Sequence, residues 1–260
     1  MSEEEIDMAE DAYKTKNWYS SSHELDNARG LATLFRECPI PEDEILSNLG
    51  LFIGRKNLSK ILFLQQLYQQ IIHVHGMVVE FGVRWGNNLS LFQALRGIYE
   101  PFNHNRKIIG FDTFQGFPSV HEKDGRSGIV SVGSYGVSSQ YDEYLTRILD
   151  YHEQDSPIAH IKKYALIKGN ASAQVHKYFQ DNPGTIVALA YFDFDLYEPT
   201  KACLEIIAGH VTKGSVIGFD QLNDSDFPGE TLALKEVWGL DKYKIRKSPH
   251  SSVQSYIVIE

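Results

Sequence analysis

Short apolar segments alternate with helix-like segments from residue 76 onward, and this alternation constrains the fold more than any other feature of the chain. The apolar segments are MVVEF at 77–81, KIIGF at 107–111, YALIKG at 164–169, IVALAYFDFD at 186–195 and GSVIGF at 214–219. Strands separated by helices are typical of a parallel sheet with helices packed on both faces. The sequence therefore predicts an α/β fold.

Helical patterns fill the intervals between these strands and the region before them. The predicted helices are 88–100, 141–151, 171–180, 200–210 and 230–240. A further helical region covers 23–72, where Asn57 is a candidate N-cap and Gly76 a candidate stop signal. The last two strands, at 243–247 and 253–260, are too close together for a crossover helix, so we expect the sheet to end antiparallel.

The chain shows neither an internal repeat nor a composition break that would mark a second globular domain. We expect residues 1–75 to form a helical extension and residues 76–260 to form the α/β domain. The helices of the extension suit either a cap over the site or a contact within a homo-oligomer. Residues 119–140 are rich in Gly and Ser, and long loops in compact domains are usually functional, so this segment is a candidate lid.

Charge and cysteine content limit the partners of the protein. The 260 residues include 34 acidic and 25 basic side chains, and the net charge of −9 opposes binding to a nucleic-acid backbone. No apolar run approaches the roughly 20 residues that span a bilayer. The start at 1–11 is acidic where a signal peptide is basic, and Cys38 and Cys203 are isolated. These features favour a cytoplasmic protein that acts on a small molecule, with no nucleic-acid or membrane partner.

The first predicted strand runs into a glycine-rich turn, Glu80-Phe81-Gly82-Val83-Arg84-Trp85-Gly86. A turn of this kind lets a nucleotide-like ligand approach the backbone and the N-terminus of the next helix. The spacing E-x-G-x-x-x-G differs from the G-x-G-x-x-G of dinucleotide enzymes, and the acid suits a cationic group better than a pyrophosphate. A purely structural tight turn is the alternative explanation of these glycines.

Asp112 follows the second strand, about thirty residues after Glu80. This is the usual offset in a βαβ unit for a carboxylate that accepts hydrogen bonds from ribose hydroxyls. The simpler alternative is that Asp112 stabilises the turn in Asp-Thr-Phe-Gln-Gly-Phe-Pro.

Acidic residues follow two further strands. Asp193 and Asp195 end the apolar run at 186–195, and Asp220 with Gln221 follows the run at 214–219. Because the carboxyl ends of neighbouring parallel strands face one crevice, these oxygens are candidate ligands for a hard divalent cation such as Mg²⁺. The alternative is that Asp193 or Asp195 caps the helix that begins near Pro199.

In their order and spacing, these motifs resemble the macrocin O-methyltransferase family. The resemblance covers about 76–238 and depends on four segments: VVEFGVRWGNN, GFDTFQGFP, FDFDLYEPT and GSVIGFD. It implies a Rossmann-like class I methyltransferase fold with a mostly parallel seven-stranded sheet. It also implies S-adenosylmethionine as cofactor and a hydroxyl of a sugar, a glycosylated natural product or a surface-glycan precursor as acceptor.

The resemblance also implies roles for individual residues. Asp193 and Asp220 would be Mg²⁺ ligands together with Gln221, which stands where the family usually has a second acid, and Asp195 would be the general base. The implied cofactor-binding residues are Glu80, Gly82, Gly86, Ser90, Asp112, Gly169, Asn170 and Ser172.

Three other functions are compatible with parts of this pattern. Asp193-Phe194-Asp195 also matches the DxD motif of metal-dependent glycosyltransferases, although Glu80 disfavours that hypothesis. A noncatalytic cofactor-binding protein would fit the neutral Gln221. A dehydrogenase fits less well, because the glycine spacing is wrong and Asp193 would have no metal to hold.

Overall fold

The protein is a seven-stranded mixed sheet with helices on both faces. The computed structural model describes residues 20–260, so the acidic run at 1–11 lies outside the described residues. The strands are β1 (Met77–Phe81), β2 (Ile108–Asp112), β3 (Tyr164–Lys168), β4 (Val187–Phe192), β5 (Val211–Phe219), β6 (Arg246–Lys247) and β7 (Ser255–Val258). Their order in the sheet is β3-β2-β1-β4-β5-β7-β6. The Rossmann-like α/β fold predicted from the sequence is confirmed.

Strands β1 to β5 are mutually parallel, and β7 runs antiparallel to both β5 and β6. The predicted antiparallel end of the sheet is therefore confirmed. Strand β4 is shorter than the apolar run 186–195, because its pairing with β1 ends where Phe192 lies opposite Phe81. The two acids of that run consequently lie in the loop after the strand.

The helices are α1 (Ser22–Arg36), α2 (Glu42–Ile45), α3 (Arg55–Ile71), α4 (Asn87–Tyr99), α5 (Tyr141–Gln154), α6 (Ala171–Asp181), α7 (Tyr197–Ile207) and α8 (Gly229–Val237). Helices α3, α4 and α5 share one hydrophobic core with one face of the sheet. Helices α6, α7 and α8 share a second core with the opposite face. Burial of apolar surface on both faces stabilises the sheet between the two helical layers.

Two predicted helix starts are wrong. Asn57 is not an N-cap, because α3 begins at Arg55 and Gly54 precedes it in an extended conformation. The Gly54 carbonyl accepts from the Leu58 N–H at 3.0 Å, which closes the first turn earlier than predicted. Helix α7 begins at Tyr197 rather than at residue 200, since a proline such as Pro199 is tolerated in the first helical turn.

The region before the sheet has two parts that differ in burial. Helices α1 and α2 contain no buried residue. Helix α3 buries five side chains against the sheet: Phe63, Leu64, Leu67, Tyr68 and Ile71. Helix α3 is therefore fixed on the sheet. The division of the chain into 1–75 and 76–260 stays a prediction. Within residues 20–260, no helix combines the length and apolarity needed to cross a membrane.

Four phenylalanines pair in register on neighbouring strands and form a row across the sheet. Phe81 pairs with Phe111 on one side and with Phe192 on the other, and Phe192 pairs with Phe219. Their ring centroids are 5.9, 4.7 and 5.3 Å apart in that order. Each phenylalanine is followed by Gly82 or an aspartate, so the row is an apolar base beneath a polar edge.

Candidate active site

A cavity of about 630 Å³ opens at this polar edge, where β1, β2, β4 and β5 end. Eight of the residues predicted for the site contribute to its wall: Gly82, Asp112, Asn170, Ser172, Asp193, Asp195, Asp220 and Gln221. The other four are not among the residues that line it: Glu80, Gly86, Ser90 and Gly169. The fold thus brings the predicted site residues from separate strand ends to one place. Their individual roles stay predictions.

Two glycines of the turn after β1 have positive φ angles, which other residues rarely adopt. Gly82 has φ +92, and a Cβ there would collide with the backbone carbonyl of Asp193. Gly86 has φ +79 and precedes α4, where a Cβ would collide with the side chain of Leu145. Both positions require glycine for local packing. The structural explanation of these glycines therefore holds whether or not a ligand approaches them.

Glu80 is fully buried beneath the turn. One carboxylate oxygen accepts a hydrogen bond from Asn88 Nδ2 at 2.9 Å, and the other has no hydrogen-bond partner among the described residues. Burial and the nearby Asp193 raise the pKa of Glu80 well above its usual value. The Asn88 amide also donates to Asp193 Oδ2 at 3.0 Å, so it links the two strand ends. We did not predict this role for Asn88 from the sequence.

Asp112 holds the turn that follows β2. Its two oxygens accept from the backbone N–H groups of Arg84 at 2.8 Å and Phe114 at 2.6 Å. The turn-stabilising explanation of Asp112 is thus supported. A carboxylate oxygen has more than one acceptor direction, so the same side chain can also accept from a ligand in the cavity. Burial raises the pKa of Asp112, although these N–H bonds oppose the shift.

Lys60 of α3 lies between two of the predicted metal ligands. Its Nζ is 2.9 Å from Asp193 Oδ2 and 3.3 Å from Asp220 Oδ1. Burial and Asp220 raise the pKa of Asp193 to about 6, while Lys60 opposes that rise. Burial also acts to raise the pKa of Asp220, but Lys60 and two hydrogen-bond donors, Gln254 and Tyr191, outweigh it and lower that pKa. The lysine was not predicted from the sequence.

The burial, backbone conformation and pKa of Asp195 are typical of a residue at a functional site. It is 6% exposed and has φ +62, a left-handed conformation that is uncommon outside glycine. Its Oδ1 is buried without a hydrogen-bond partner in residues 20–260, and burial together with Asp193 raises its pKa well above the usual value. An unpaired buried carboxylate is costly, and such groups cluster at functional sites.

Glu230, at the start of α8, supports the loops that carry these acids. It is fully buried and accepts from the backbone N–H groups of Phe194 at 3.2 Å, Asp195 at 3.4 Å and Gln221 at 3.3 Å. Burial and Asp195 raise its pKa well above the usual value. Glu230 therefore orients the ends of β4 and β5 together. The sequence alone did not indicate this role.

Asp124, a residue of the candidate lid, caps helix α7, which follows these acids. Asp124 Oδ1 accepts from the Tyr197 N–H at 2.5 Å at the start of α7. Lys123 donates to the Tyr197 hydroxyl and to Glu236, each at 2.9 Å. The alternative that Asp193 or Asp195 caps this helix is wrong, because no side chain of the preceding loop makes the cap bond. The segment 119–140 is thus anchored beside the cavity, and its role as a lid stays a prediction.

Comparison with solved structures gives two close matches. The calicheamicin methyltransferase CalS11 is 40% identical, with a TM-score of 0.90, and the match covers 94% of this chain and 97% of that chain. The apo structure of CalS11, a TDP-rhamnose 3'-O-methyltransferase of calicheamicin biosynthesis, is 38% identical, with a TM-score of 0.82 and coverage of 95% and 97%. No protein-family model and no curated protein sequence matched the chain.

A more distant structure supports the fold alone. The O-methyltransferase NovP is 19% identical with a TM-score of 0.58, and the match covers 80% of this chain and 81% of that chain. The fold and the close matches define an S-adenosylmethionine-dependent methyltransferase of class I. Within that class, the chain belongs to the macrocin O-methyltransferase family. This membership favours methyl transfer over the glycosyltransferase, dehydrogenase and noncatalytic alternatives.

Proposed function

We propose that this protein transfers a methyl group from S-adenosylmethionine to a hydroxyl of a sugar, with the help of a bound Mg²⁺ ion. The observation that carries the proposal is the 40% identity to CalS11 over nearly the whole chain. CalS11 is a TDP-rhamnose 3'-O-methyltransferase, so a nucleotide-linked sugar is the first acceptor to test. Glycosylated natural products and surface-glycan precursors are the alternative acceptors.

The cavity suits the cofactor in size and in the chemistry of its wall. A volume of about 630 Å³ is in the range of sites for small molecules. S-adenosylmethionine supplies a methyl group on a positively charged sulfonium. Gly82, Asp112, Asn170 and Ser172 would hold the cofactor from the cavity wall, with Asp112 at the ribose. Glu80, buried beneath the turn, would favour the cationic methionine end, and Gly86, Ser90 and Gly169 would help to shape the pocket.

The donor set at the ends of β4 and β5 fits a hard divalent cation. Asp193, Asp220 and Gln221 supply oxygen atoms to one wall, and Gln221 Oε1 is buried without a hydrogen-bond partner in the part of the chain that the structure describes. Oxygen ligands are those that Mg²⁺ prefers. Among residues 20–260 there is no cluster of three or more His, Cys, Asp or Glu side chains around one metal position, and the proposed set accordingly combines two carboxylates with one amide oxygen. A bound Mg²⁺ supplies Lewis acidity that lowers the pKa of an acceptor hydroxyl.

Asp195 is the residue that would remove the acceptor proton. Its buried, unpartnered Oδ1 is able to accept that proton, and its raised pKa makes the carboxylate a stronger base. Glu230 accepts a hydrogen bond from the Asp195 backbone N–H, which holds the backbone that carries this side chain. Holding donor and acceptor in attack geometry contributes about 7 to 11 kcal/mol to barrier reduction in well-oriented systems. The segment 119–140 would exclude water during this step.

Two measurements test the proposal. The first is calorimetric titration of the protein with S-adenosylmethionine and with S-adenosylhomocysteine, and the second is an assay of methyl transfer to TDP-rhamnose. Both are made in Mg²⁺ and in chelator. We expect near-stoichiometric binding of both ligands and transfer that chelator abolishes. Asp112→Asn should weaken cofactor binding about 10- to 100-fold, as expected for loss of a charged hydrogen bond. The matched control Asp181→Asn, on an exposed position at the end of α6, should leave the affinity unchanged.

Each result of this experiment points to a different conclusion. Absence of binding of either ligand in every metal condition would refute the methyltransferase proposal. Cofactor binding without transfer to TDP-rhamnose would shift the acceptor to the other sugar classes. Transfer that persists at full rate in chelator would remove Mg²⁺ from the proposal.

A further inference from the structure

The Lys60 ammonium occupies the point where the carboxylates of Asp193 and Asp220 converge. Its Nζ is within 3.3 Å of an oxygen from each carboxylate. Mg²⁺ binds its oxygen ligands at about 2.0–2.1 Å and requires near-octahedral geometry. An ion that contacts the same two oxygens would therefore lie next to the ammonium, and two like charges in a buried site repel strongly. On these two oxygens, the lysine and the ion would exclude one another.

We propose that Lys60 holds the two carboxylates together in the metal-free protein and leaves this position when Mg²⁺ binds. The lysine is then a competitor that sets how tightly the protein retains its metal. This inference rests on the proposed metal site at Asp193, Asp220 and Gln221.

The surroundings of Lys60 allow the side chain to move while the helix stays in place. The side chain is 28% exposed, so it has a route to solvent. Three residues that follow it on α3, Phe63, Leu64 and Leu67, are fully buried against the sheet and fix the helix. The flexible four-carbon stem of a lysine is able to move an ammonium without a change in the backbone.

The two carboxylates keep other hydrogen-bond donors once the lysine has left. Asp193 Oδ2 accepts from Asn88 Nδ2 at 3.0 Å. Asp220 Oδ1 accepts from the Tyr191 hydroxyl and from Gln254 Nε2, each at 2.8 Å. These donors come from elements other than α3, so they hold the carboxylates in position independently of Lys60. The metal ligands are consequently oriented before the ion arrives.

Calorimetric titration of Mg²⁺ into the wild type, Lys60→Met and Lys60→Gln measures the competition directly. If the ammonium occupies the shared position nine times in ten, its removal should tighten apparent Mg²⁺ binding about tenfold. The matched control is Lys56→Met, because Lys56 lies one turn earlier on α3 and donates to Ser20 Oγ on the surface. We expect the control to bind Mg²⁺ as the wild type does.

A second measurement needs no variant. Amine-selective acetylation of the wild type, followed by peptide mass spectrometry, reports how accessible the Lys60 amine is. We expect Lys60 to react faster in Mg²⁺ than in chelator, with Lys56 unchanged as the internal reference. This measurement decides the proposal if both Lys60 variants fail to fold by circular dichroism.

Two results would overturn the inference. One is unchanged or weaker Mg²⁺ binding in folded Lys60 variants, and the other is equal acetylation of Lys60 with and without Mg²⁺. If the wild type still binds S-adenosylmethionine and transfers methyl groups in these cases, only the inference fails. If no protein binds Mg²⁺ and transfer continues in chelator, Lys60 is a permanent replacement for the ion, and the metal part of the proposed function fails as well.

Discussion

Two groups of buried charges in this protein are built on different principles. The first, here termed the structural cluster, consists of Arg96, Glu153 and Lys163 on the α4–α5 side of the sheet. Arg96 Nη2 is 3.0 Å from Glu153 Oε1, and Lys163 Nζ pairs with the same carboxylate. Arg96 also donates to the Lys163 carbonyl at 2.8 Å. Two cations thus surround one carboxylate, and the remaining donors reach backbone carbonyls.

The second group, the carboxylate cluster, has the opposite balance. Asp193, Asp195, Asp220 and Glu230 come together at the ends of β4 and β5, and Lys60 is the cation that bridges two of them. Three of the four acids have raised pKa values because of burial and mutual repulsion. Asp195 Oδ1 has no hydrogen-bond partner, whereas none of the buried side-chain N and O atoms of the structural cluster lacks one within the described residues.

This difference separates a role in stability from a role in chemistry. A buried charge group whose carboxylate is paired and whose buried polar atoms all have hydrogen-bond partners has no capacity left for a ligand. A group with excess negative charge and an unpaired oxygen is costly for the fold, and it gains stability from a bound cation or proton. The carboxylate cluster is therefore where function is expected, and the following predictions test that contrast.

The largest expected effect is loss of turnover in Asp195→Asn. Asparagine tolerates the left-handed backbone at this position, so the fold should be kept, but the amide is unable to take the acceptor proton. We expect kcat to fall about 10²- to 10⁴-fold with little change in S-adenosylmethionine affinity. Steady-state kinetics and calorimetry on the same preparation check this. Activity equal to that of the wild type would remove Asp195 as the base.

Glu153→Gln should show the reverse pattern in the structural cluster. Removing this carboxylate leaves Arg96 and Lys163 buried without their counter-charge, which should lower the free energy of unfolding by about 3 to 5 kcal/mol. Urea denaturation measures the loss, and kcat per folded molecule should stay near that of the wild type. The control Arg29→Ala breaks the exposed Arg29–Asp26 pair and should change stability by less than about 1 kcal/mol. Lost turnover at unchanged stability would contradict the contrast between the clusters.

The smallest expected effect concerns Glu230 and pH. Its pKa is raised in the folded protein, so above its ordinary value of 4.5 the folded state binds more protons than the unfolded state, and stability falls as pH rises through this window. Glu230→Gln removes this titration and keeps one oxygen, which is able to accept the bonds from Phe194 and Asp195, while the bond from Gln221 to the second oxygen is lost. We expect a stability change of roughly 1 kcal/mol and a smaller loss of Tm between about pH 5 and pH 8. An unaltered dependence of Tm on pH would show that Glu230 does not titrate in this range.

Local sequence patterns predicted most of the fold. The five parallel strands are found where the apolar runs predicted them, because a buried strand requires a continuous run of apolar side chains. Helix starts were predicted less well at Asn57 and Pro199, since a cap depends on the path of the chain before the helix. Asp112 stabilises the turn after β2, as the alternative explanation of this residue stated, and it also lines the cavity.

The residues that the sequence analysis missed are brought to the site from far along the chain. Lys60 lies 133 residues from Asp193 and reaches it from a helix on one face of the sheet. Asn88, at the start of α4, lies 105 residues from Asp193 and joins Glu80 to it. Asp124 lies 73 residues from the helix that it caps. No periodicity within a segment reports such pairings, because they depend on how the elements pack.

The sequence by itself determined the architecture and the end of the sheet that carries the site. Parallel strands place their carboxyl ends at one edge, so acids that follow Phe111, Phe192 and Phe219 have to meet there whatever the loops do. Tertiary structure decided how the charges of those acids are balanced. Packing of α3 on the sheet brings Lys60 to Asp193 and Asp220, and packing of α8 brings Glu230 to the same loops. These contacts depend on the three-dimensional positions of whole helices, which the short-range spacing of residues does not specify.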